Sequence, residues 1–480
     1  MAATDDTPLT TATMSTAALE AALAALPGAA DWQLEARRDD ERQRYLIGAR
    51  DEAQRTVFNE RAVVTLHNDH ARRAPQDSSQ QSEEAASDLV RGTATLTLLP
   101  DDSADAALLA ARLGETLTMA GLTDNPSFRL PDPPAGGYPA LTTADPALMG
   151  DAAMLDGLVD QLFARLRGAV ARYPGVHLSS AELYVTRGAR HLRTSRGADC
   201  AYASTAVALD LVLIAGAGDD AAEFHAEAYR RQLSDLSLER TVAAYATFAR
   251  DALRAVSPAT HQGPVILSGE AAASFFVPTL DAVGIPSAFT FHPSAEAAYQ
   301  HLSRLTVGAS VSGGEPRGDR LTLLADATRP FGRKTAPCDD EGLPAARLAL
   351  IEDGVFRRLW ADSRYAAYLG ITPTGAFGNC TVVPGVTTLD ALRAAVDGPV
   401  YEIVAFSSFN PDPVTGDFVS EVKLGYRHDA RGTTPIKGGS LSGNLFDALA
   451  DVRFSRETYT DGTYYGPAAL RCAQLTLAGK

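Results

Sequence analysis

In the stretch VILSGEAAASFFVPTL, Val265 to Leu280, a short apolar run turns through Ser268 and Gly269 into an almost wholly apolar helical segment. That segment carries one carboxylate, Glu270. A carboxylate in such surroundings can act as a general base if something beside it activates water or a carbonyl. The same residue also suits a plainer role. An acid in the first helical turn gains about 0.3–1 kcal/mol from the helix dipole, with Ser268 as the N-cap.

Other spacings invite chemistry and lose it on inspection. Gly216-x-Gly218-x-x-Ala221 resembles a dinucleotide fingerprint, but a second parallel strand ending in an acid is required. Two helical segments, Ala221 to Arg231 and Leu238 to Val256, are expected there instead, so the glycines read as a strand-to-helix turn. His67 and His70 have a spacing used by metal ligands but enter a polar stretch expected to be a loop, Asn68 to Ser87. His225 and Glu227 fall in the expected helix on faces that do not meet. Ser420 and Lys423 match Ser-x-x-Lys, yet DFVSEVKLGY alternates as a strand and sends the two to opposite faces. The sequence contains neither a Gly-x-Ser-x-Gly elbow nor a Gly-x-x-x-x-Gly-Lys phosphate loop.

The elements that must position these residues are mixed. Thr16–Leu26, Ala106–Ala120 and Met154–Tyr173 have helical spacing, and Ala295–Leu305 is a further helical segment. WQLEARR and RYLIGAR alternate as a strand pair turned at Asp39 and Asp40, and GTATLTLLP, AELYVTR, HLRTSRG and ALDLVLIAG supply more strands. After Ser257 strand-like runs and Gly/Pro turns dominate, with Glu352-Asp353-Gly354 as the strongest hairpin signal. The expected class is α+β: a mixed N-terminal region followed by a β-rich C-terminal domain. Boundaries are placed at 1–123, 124–256 and 257–480, the first because Leu122 to Pro146 concentrates proline and glycine.

The 480 residues carry 43 Lys and Arg against 59 Asp and Glu, a net charge of −16, which argues against nucleic acid and anionic lipid as partners. No apolar run is long enough for a membrane-spanning helix, and the N-terminal stretch lacks the basic region of an export signal. Cys200, Cys338, Cys380 and Cys472 are scattered, without a Cys-x-x-Cys spacing or the density of a disulfide framework, and a reducing cytoplasm is expected.

Four runs of the C-terminal half stand in one telling order: CDDEGLPAARLALIEDGVFRRLWADSRYAAYLG, TPTGAFGN, FNPDPVTGDF and IKGGSLSGNLFDAL. Together they resemble the C-terminal domain of the TldD/PmbA metallopeptidase family, with fainter similarity upstream. The family pairs a TldD subunit with a TldE (PmbA) subunit. The resemblance implies a cytoplasmic zinc peptidase assembly acting on small or unfolded peptides, some of them precursors of modified peptide natural products. In the TldD type a helical His-Glu-x-x-x-His and a late cysteine hold the zinc, with the glutamate as base. Here Gly269 and Ser274 stand at the histidine positions, Glu270 matches the glutamate, and Cys472 falls in a strand-like tail that resembles the TldE ending. The expectation is a metal-free, TldE-like non-catalytic subunit, with zinc in a TldD-like partner and no cofactor of its own. Glu270 is then the sole catalytic candidate. Loop residues Asn410, Thr415 and Asp417 are candidates for contacting peptide, and Gly375, Gly416 and Gly443 are expected to serve turns. The rivals are a self-sufficient metal-independent enzyme of natural-product biosynthesis and a self-associating peptide-binding protein.

Overall fold

The computed structural model describes residues 14–48, 50–72, 89–277, 286–394 and 398–479. The fold is α+β, with helices gathered on an N-terminal sheet and a strand-rich C-terminal part. The first sheet is antiparallel and uses β1 (Asp31–Ile47), β2 (Arg50–Ala71), β3 (Leu89–Leu98), β4 (Asn125–Pro126), β5 (Val176–Thr194), β6 (Asp199–Ala215) and β7 (Ala222–Arg230) in the order β4-β3-β2-β1-β5-β6-β7. Strands from both sides of the boundary expected at 123 join in this one sheet. The Pro/Gly-rich stretch after Leu122 is therefore a connection within it.

One face of the sheet is covered by helices in two groups. Helices Thr16–Ala24 and Ala106–Ala120 bring Leu19, Leu23, Leu109 and Leu113 onto Leu34 and Val64. Helices Ala152–Val170 and Leu238–Leu253 bury Leu162, Phe163, Val242 and Ala246 against Leu183, Leu209, Leu211 and Phe224. Because strand side chains alternate, Tyr184, Asp210 and Glu227 emerge on the opposite face.

Several local expectations change. The helix expected over Ala221 to Arg231 is instead the strand β7, Ala222–Arg230: Ala222, Phe224 and Ala226 are buried while Glu223, His225 and Glu227 are exposed, a period of two that outweighs the helix propensity of Ala and Glu. The glycines at 216 and 218 thus connect two antiparallel strands. Asp39 and Asp40 lie in mid-strand in β1. Asp40 is buried there and accepts from Arg187 at 2.7 and 3.0 Å and from Arg42, a pairing that lets a charge sit inside a sheet. His67 and His70 belong to β2 rather than to a loop; of the expected loop, 73–87 lies outside the described residues. His67 is held by Gln33 and Thr93, and burial followed by the nearby Arg91 brings its pKa down to about 4. Of Ala295–Leu305 only Ala295–Tyr299 is helical.

The C-terminal part adds β8 (His261–Ser268), β9 (Leu323–Asp326), β10 (Arg347–Glu352), β11 (Val355–Phe356), β12 (Asn379–Val382), β13 (Val400–Phe406), β14 (Asp417–Asp429), β15 (Gly432–Ile436), β16 (Ser440–Asn444), β17 (Val452–Phe454), β18 (Thr458–Thr460), β19 (Tyr464–Pro467) and β20 (Ala469–Ala478). One sheet runs β11-β10-β9-β12-β19-β18. In the other, β13-β8-β20-β16-β14 closes on itself because the long β14 pairs β16 through its first half and β13 through its second. Between them lies the main core, where Phe276 stacks on Tyr464 at 5.8 Å and Phe289 packs on Phe275 and Phe446. Asp353-Gly354 makes the expected hairpin from β10 to β11, both residues having positive φ. Ser420 and Lys423 lie on β14 as expected. Among the described residues no helix is long and apolar enough to cross a membrane.

Candidate functional site

β8 is an inner strand, parallel to β13 and antiparallel to β20. It ends at Ser268, and a helix of five residues, Glu270–Ser274, follows at once. Ser268 does not cap this helix; its hydroxyl donates to the buried Glu402 at 2.6 Å. The N-cap is Gly269, whose φ of +61° and ψ of −123° suit glycine and strain any other residue. From here the chain dives inward: Ala271 to Phe276 are buried, and Ser274 Oγ donates to its own helix at Ala271 O, 3.1 Å away.

Glu270 is the exposed residue of this helix and faces a cleft of about 360 Å³, which Ala273 and Ser274 also border. The open face of the first sheet forms one wall, at Tyr184, Asp210 and Glu227. Arg333, Tyr459 and Asp461 stand on the C-terminal side. The walls are pinned together by the end of β7, where Arg230 donates to Thr460 O and Asp461 O at 3.0 and 2.9 Å, and Arg231 to Thr335 O and Arg333 O at 2.6 and 2.8 Å.

The Glu270 carboxylate touches solvent yet is enclosed by the cleft walls, and this enclosure raises its pKa above the ordinary glutamate value. The Tyr245 hydroxyl, donating to it at 2.9 Å, opposes the rise, while Glu227 and Asp461 add to it. A helix dipole shifts a carboxylate the other way, and at Glu270 the enclosure outweighs it. Five residues make too short a helix to outweigh enclosure beside two other acids.

Neither the histidine positions nor the late cysteine fit zinc. Gly269 offers no side-chain donor, Ser274 turns back onto its helix, and Cys472 is fully buried in β20, opposite Val265, where burial pushes its thiol up to about 12. A different trio lies on the sheet wall. Asp210, His225 and Glu227 face the same way because Asp210 pairs with Glu227 across β6 and β7, and their donor atoms all fall within 4.8 Å. His225 Nε2 is 2.9 Å from Asp210 and 3.8 Å from Glu227. Two carboxylates and an imidazole are a donor set that a divalent cation accepts, although all three are solvent-accessible and the imidazole is already engaged. Sequence reasoning missed this wall because it assigned β7 to a helix. The alternation from Ala222 to Glu227 was the signal.

The loop candidates do not join Glu270. Thr415 Oγ1 accepts from Asp417 N at 3.2 Å, Asp417 accepts from Asn444 at 2.8 Å, and Asp412 holds the turn through Val414 N and Thr415 N, so these polar groups are occupied in shaping their own loop. Asn410 is exposed at its start. None of the three lines the cleft.

Residues 260–479 match the family described as PmbA/TldA metallopeptidase C-terminal domain. A stretch of 143 residues is 27% identical to an uncharacterized protein of Methanocaldococcus jannaschii, covering 28% of this chain and 34% of that protein. Another, of 161 residues, is 25% identical to a metalloprotease TldD homolog of Buchnera aphidicola, covering 31% and 33%. These matches span about a third of each curated relative. The crystal structure of TldE from Thermococcus kodakarensis superposes with a TM-score of 0.73 over 96% of this chain and 99% of that one, at 16% identity, which establishes a shared fold.

Proposed function

Because residues 260–479 match the C-terminal domain of the PmbA/TldD metallopeptidases, we propose that the chain is a TldE-like subunit that binds a zinc-bearing, TldD-like partner in the cytoplasm and helps enclose that partner's peptide substrate. The observation that carries this reading is the state of the positions around Glu270. The base is retained at a cleft, but the flanking positions are a positive-φ glycine and a buried serine. A carboxylate without a Lewis acid has nothing to lower the pKa of a water molecule, so hydrolysis through this motif requires a second chain. Peptide processing, including that of modified natural products, then belongs to the pair, and this chain contributes walls and contacts.

Co-expression with a relative that carries His-Glu-x-x-x-His tests the reading. Size-exclusion chromatography with light scattering should give a stable heterodimer, and peptide cleavage should follow that species alone. Full activity of this chain by itself overturns the proposal. The trio Asp210, His225 and Glu227 beside Glu270 is the observation that favours such a self-sufficient enzyme, and activity of the lone chain that is lost in His225→Ala would establish it.

A further inference from the structure

The four cysteines are far apart in sequence, but the fold brings two of them together. Cys200, the second residue of β6, and Cys338, in the segment before β10, are 338 − 200 = 138 positions apart. They share one small apolar cluster with Leu192, against which Tyr138 and Tyr202 pack. Both are free thiols and both are buried, at 3% and 7% exposure. The backbone around them is fixed from both sides. Leu192 pairs with Cys200 across β5 and β6, Cys338 bridges to Pro344, Tyr138 donates to Gly342 O at 3.0 Å, and Gln33 donates to Asp340 O at 2.8 Å. Two cavities converge on the pair: one, of about 680 Å³, reaches Cys200 and Pro337, and another, of about 180 Å³, reaches Cys338.

We propose that Cys200 and Cys338 form a redox-responsive dithiol, which a peroxide oxidises to an intramolecular disulfide joining the N-terminal sheet to the C-terminal domain. A small oxidant reaches the sulfurs through the two cavities, whereas Cys380 and Cys472 are fully enclosed. The proximity of the two thiols divides the roles. The Cys338 thiol beside it lowers the pKa of Cys200, which becomes the thiolate, while Cys200 and burial raise that of Cys338, which keeps its proton. The Cys200 thiolate attacks the peroxide, the O–O bond breaks, and a sulfenic acid and hydroxide result. Cys338 sulfur then attacks the sulfenic sulfur, the S–O bond breaks, and the Cys338 proton leaves with that oxygen as water. Overall two thiols and one hydrogen peroxide give one disulfide and two waters, the thiols supplying both electrons.

The test uses the full-length chain, reduced and then exposed to a few equivalents of hydrogen peroxide. Free thiols are alkylated, and the protein is digested without reduction and analysed by mass spectrometry. The expected product is a peptide pair joining Cys200 to Cys338, lighter by two hydrogens than the separate peptides and released by dithiothreitol, with Cys380 and Cys472 recovered as alkylated thiols. The thermal midpoint of the native chain should rise on oxidation and return on reduction, while Cys338→Ser should show neither the crosslink nor the rise. Recovery of Cys200 and Cys338 as separately alkylated or sulfonated peptides, or of crosslinks only between chains, overturns the proposal. The native-chain measurement decides this even if a variant fails to fold.

Discussion

The hydroxyl of Ser268 donates to Oε1 of Glu402 at 2.6 Å, tying the last residue before the Gly269–Glu270 turn to a carboxylate that is only 2% exposed. Arg393 donates to both oxygens of Glu402 at 2.7 and 2.9 Å, and His428 Nε2 lies 2.8 Å from Oε2. A single buried acid therefore gathers β8, β13, β14 and the helix Leu389–Ala394 behind the cleft.

Burial alone would raise the Glu402 pKa, but the hydrogen bonds from His428, Arg393 and Ser268 win and hold it down to about 2, against 4.5 for a free glutamate. The folded state thus binds its proton more weakly than the unfolded state. The stabilisation is complete above pH 4.5 and is lost as pH falls towards 2, and its size is on the order of 3 kcal/mol. Glu402→Gln should cost about 3–5 kcal/mol at neutral pH, because it leaves the Arg393 guanidinium short of its partner. Urea unfolding at pH 7 and pH 3 checks this, the gap between variant and parent narrowing at the lower pH.

Restoring the histidines should not restore a zinc site. A Cβ at Gly269 meets nothing within 4 Å, so room is available, but φ +61° with ψ −123° is a conformation that histidine resists at a cost of about 1–3 kcal/mol. Ser274 borders the cleft but is only 7% exposed among the buried residues Ala271 to Phe276, so an imidazole in its place would overpack the core. The variant Gly269→His/Ser274→His should melt below the parent and hold well under one zinc per chain by elemental analysis. The parent purified alone should carry no stoichiometric zinc at this motif. Zinc that disappears in His225→Ala would instead belong to the trio on the sheet wall.

Glu270 should cost stability where it stands. Its raised pKa means that the folded state holds this proton more tightly than the unfolded state, so its contribution becomes unfavourable as pH rises through the unfolded value of 4.5, and the full penalty remains above the folded value. Glu270→Gln keeps an acceptor for Tyr245 and removes the charge facing Glu227 and Asp461. Because solvent reaches the group, the gain at pH 7 should be small, a rise in melting temperature of about 1–2 °C. It should vanish below pH 4. An equal gain at both pH values would show that charge is not the cause.

What could be read from the sequence depended on whether the signal was local. The Asp353-Gly354 hairpin, the helix Ala106–Ala120 and the strand that carries Cys472 each follow from short-range pattern, and the structure has all three. β7 was hidden because AEFHAEAYR is rich in good helix formers. Only pairing with β6, remote in its energetic effect, makes its period of two decisive. Asp40 was hidden for a related reason: a charge in mid-strand becomes plausible only once Arg42 and Arg187 are known to meet it. The cleft could not be read at all, since its walls come from residues near 210, 227, 270, 333 and 461, brought together by the joint between the sheets.

Gly416 illustrates how a loop motif that looked available for recognition is committed to structure. Its φ is +78°, and an added Cβ would approach Phe446 Cδ2 to 2.7 Å. Phe446 cannot yield, being fully buried with the Arg304 guanidinium 4.3 Å from its ring centre and His292 against it at 5.1 Å. The turn is also closed by Gly416 N donating to Asp412 O and Leu445 N donating to Gly416 O, both at 2.9 Å. Valine adds left-handed strain of about 1–2 kcal/mol to an overpacking cost of about 1–3 kcal/mol, and the two act on the same turn. Gly416→Val should therefore lower the melting temperature and the soluble yield, and Gly416→Ala should do so to a smaller degree. Circular dichroism melts of both variants check this. A Gly416→Val protein that melts with the parent and loses only peptide cleavage in the assembled pair would return this loop to the recognition role first expected of Asn410, Thr415 and Asp417.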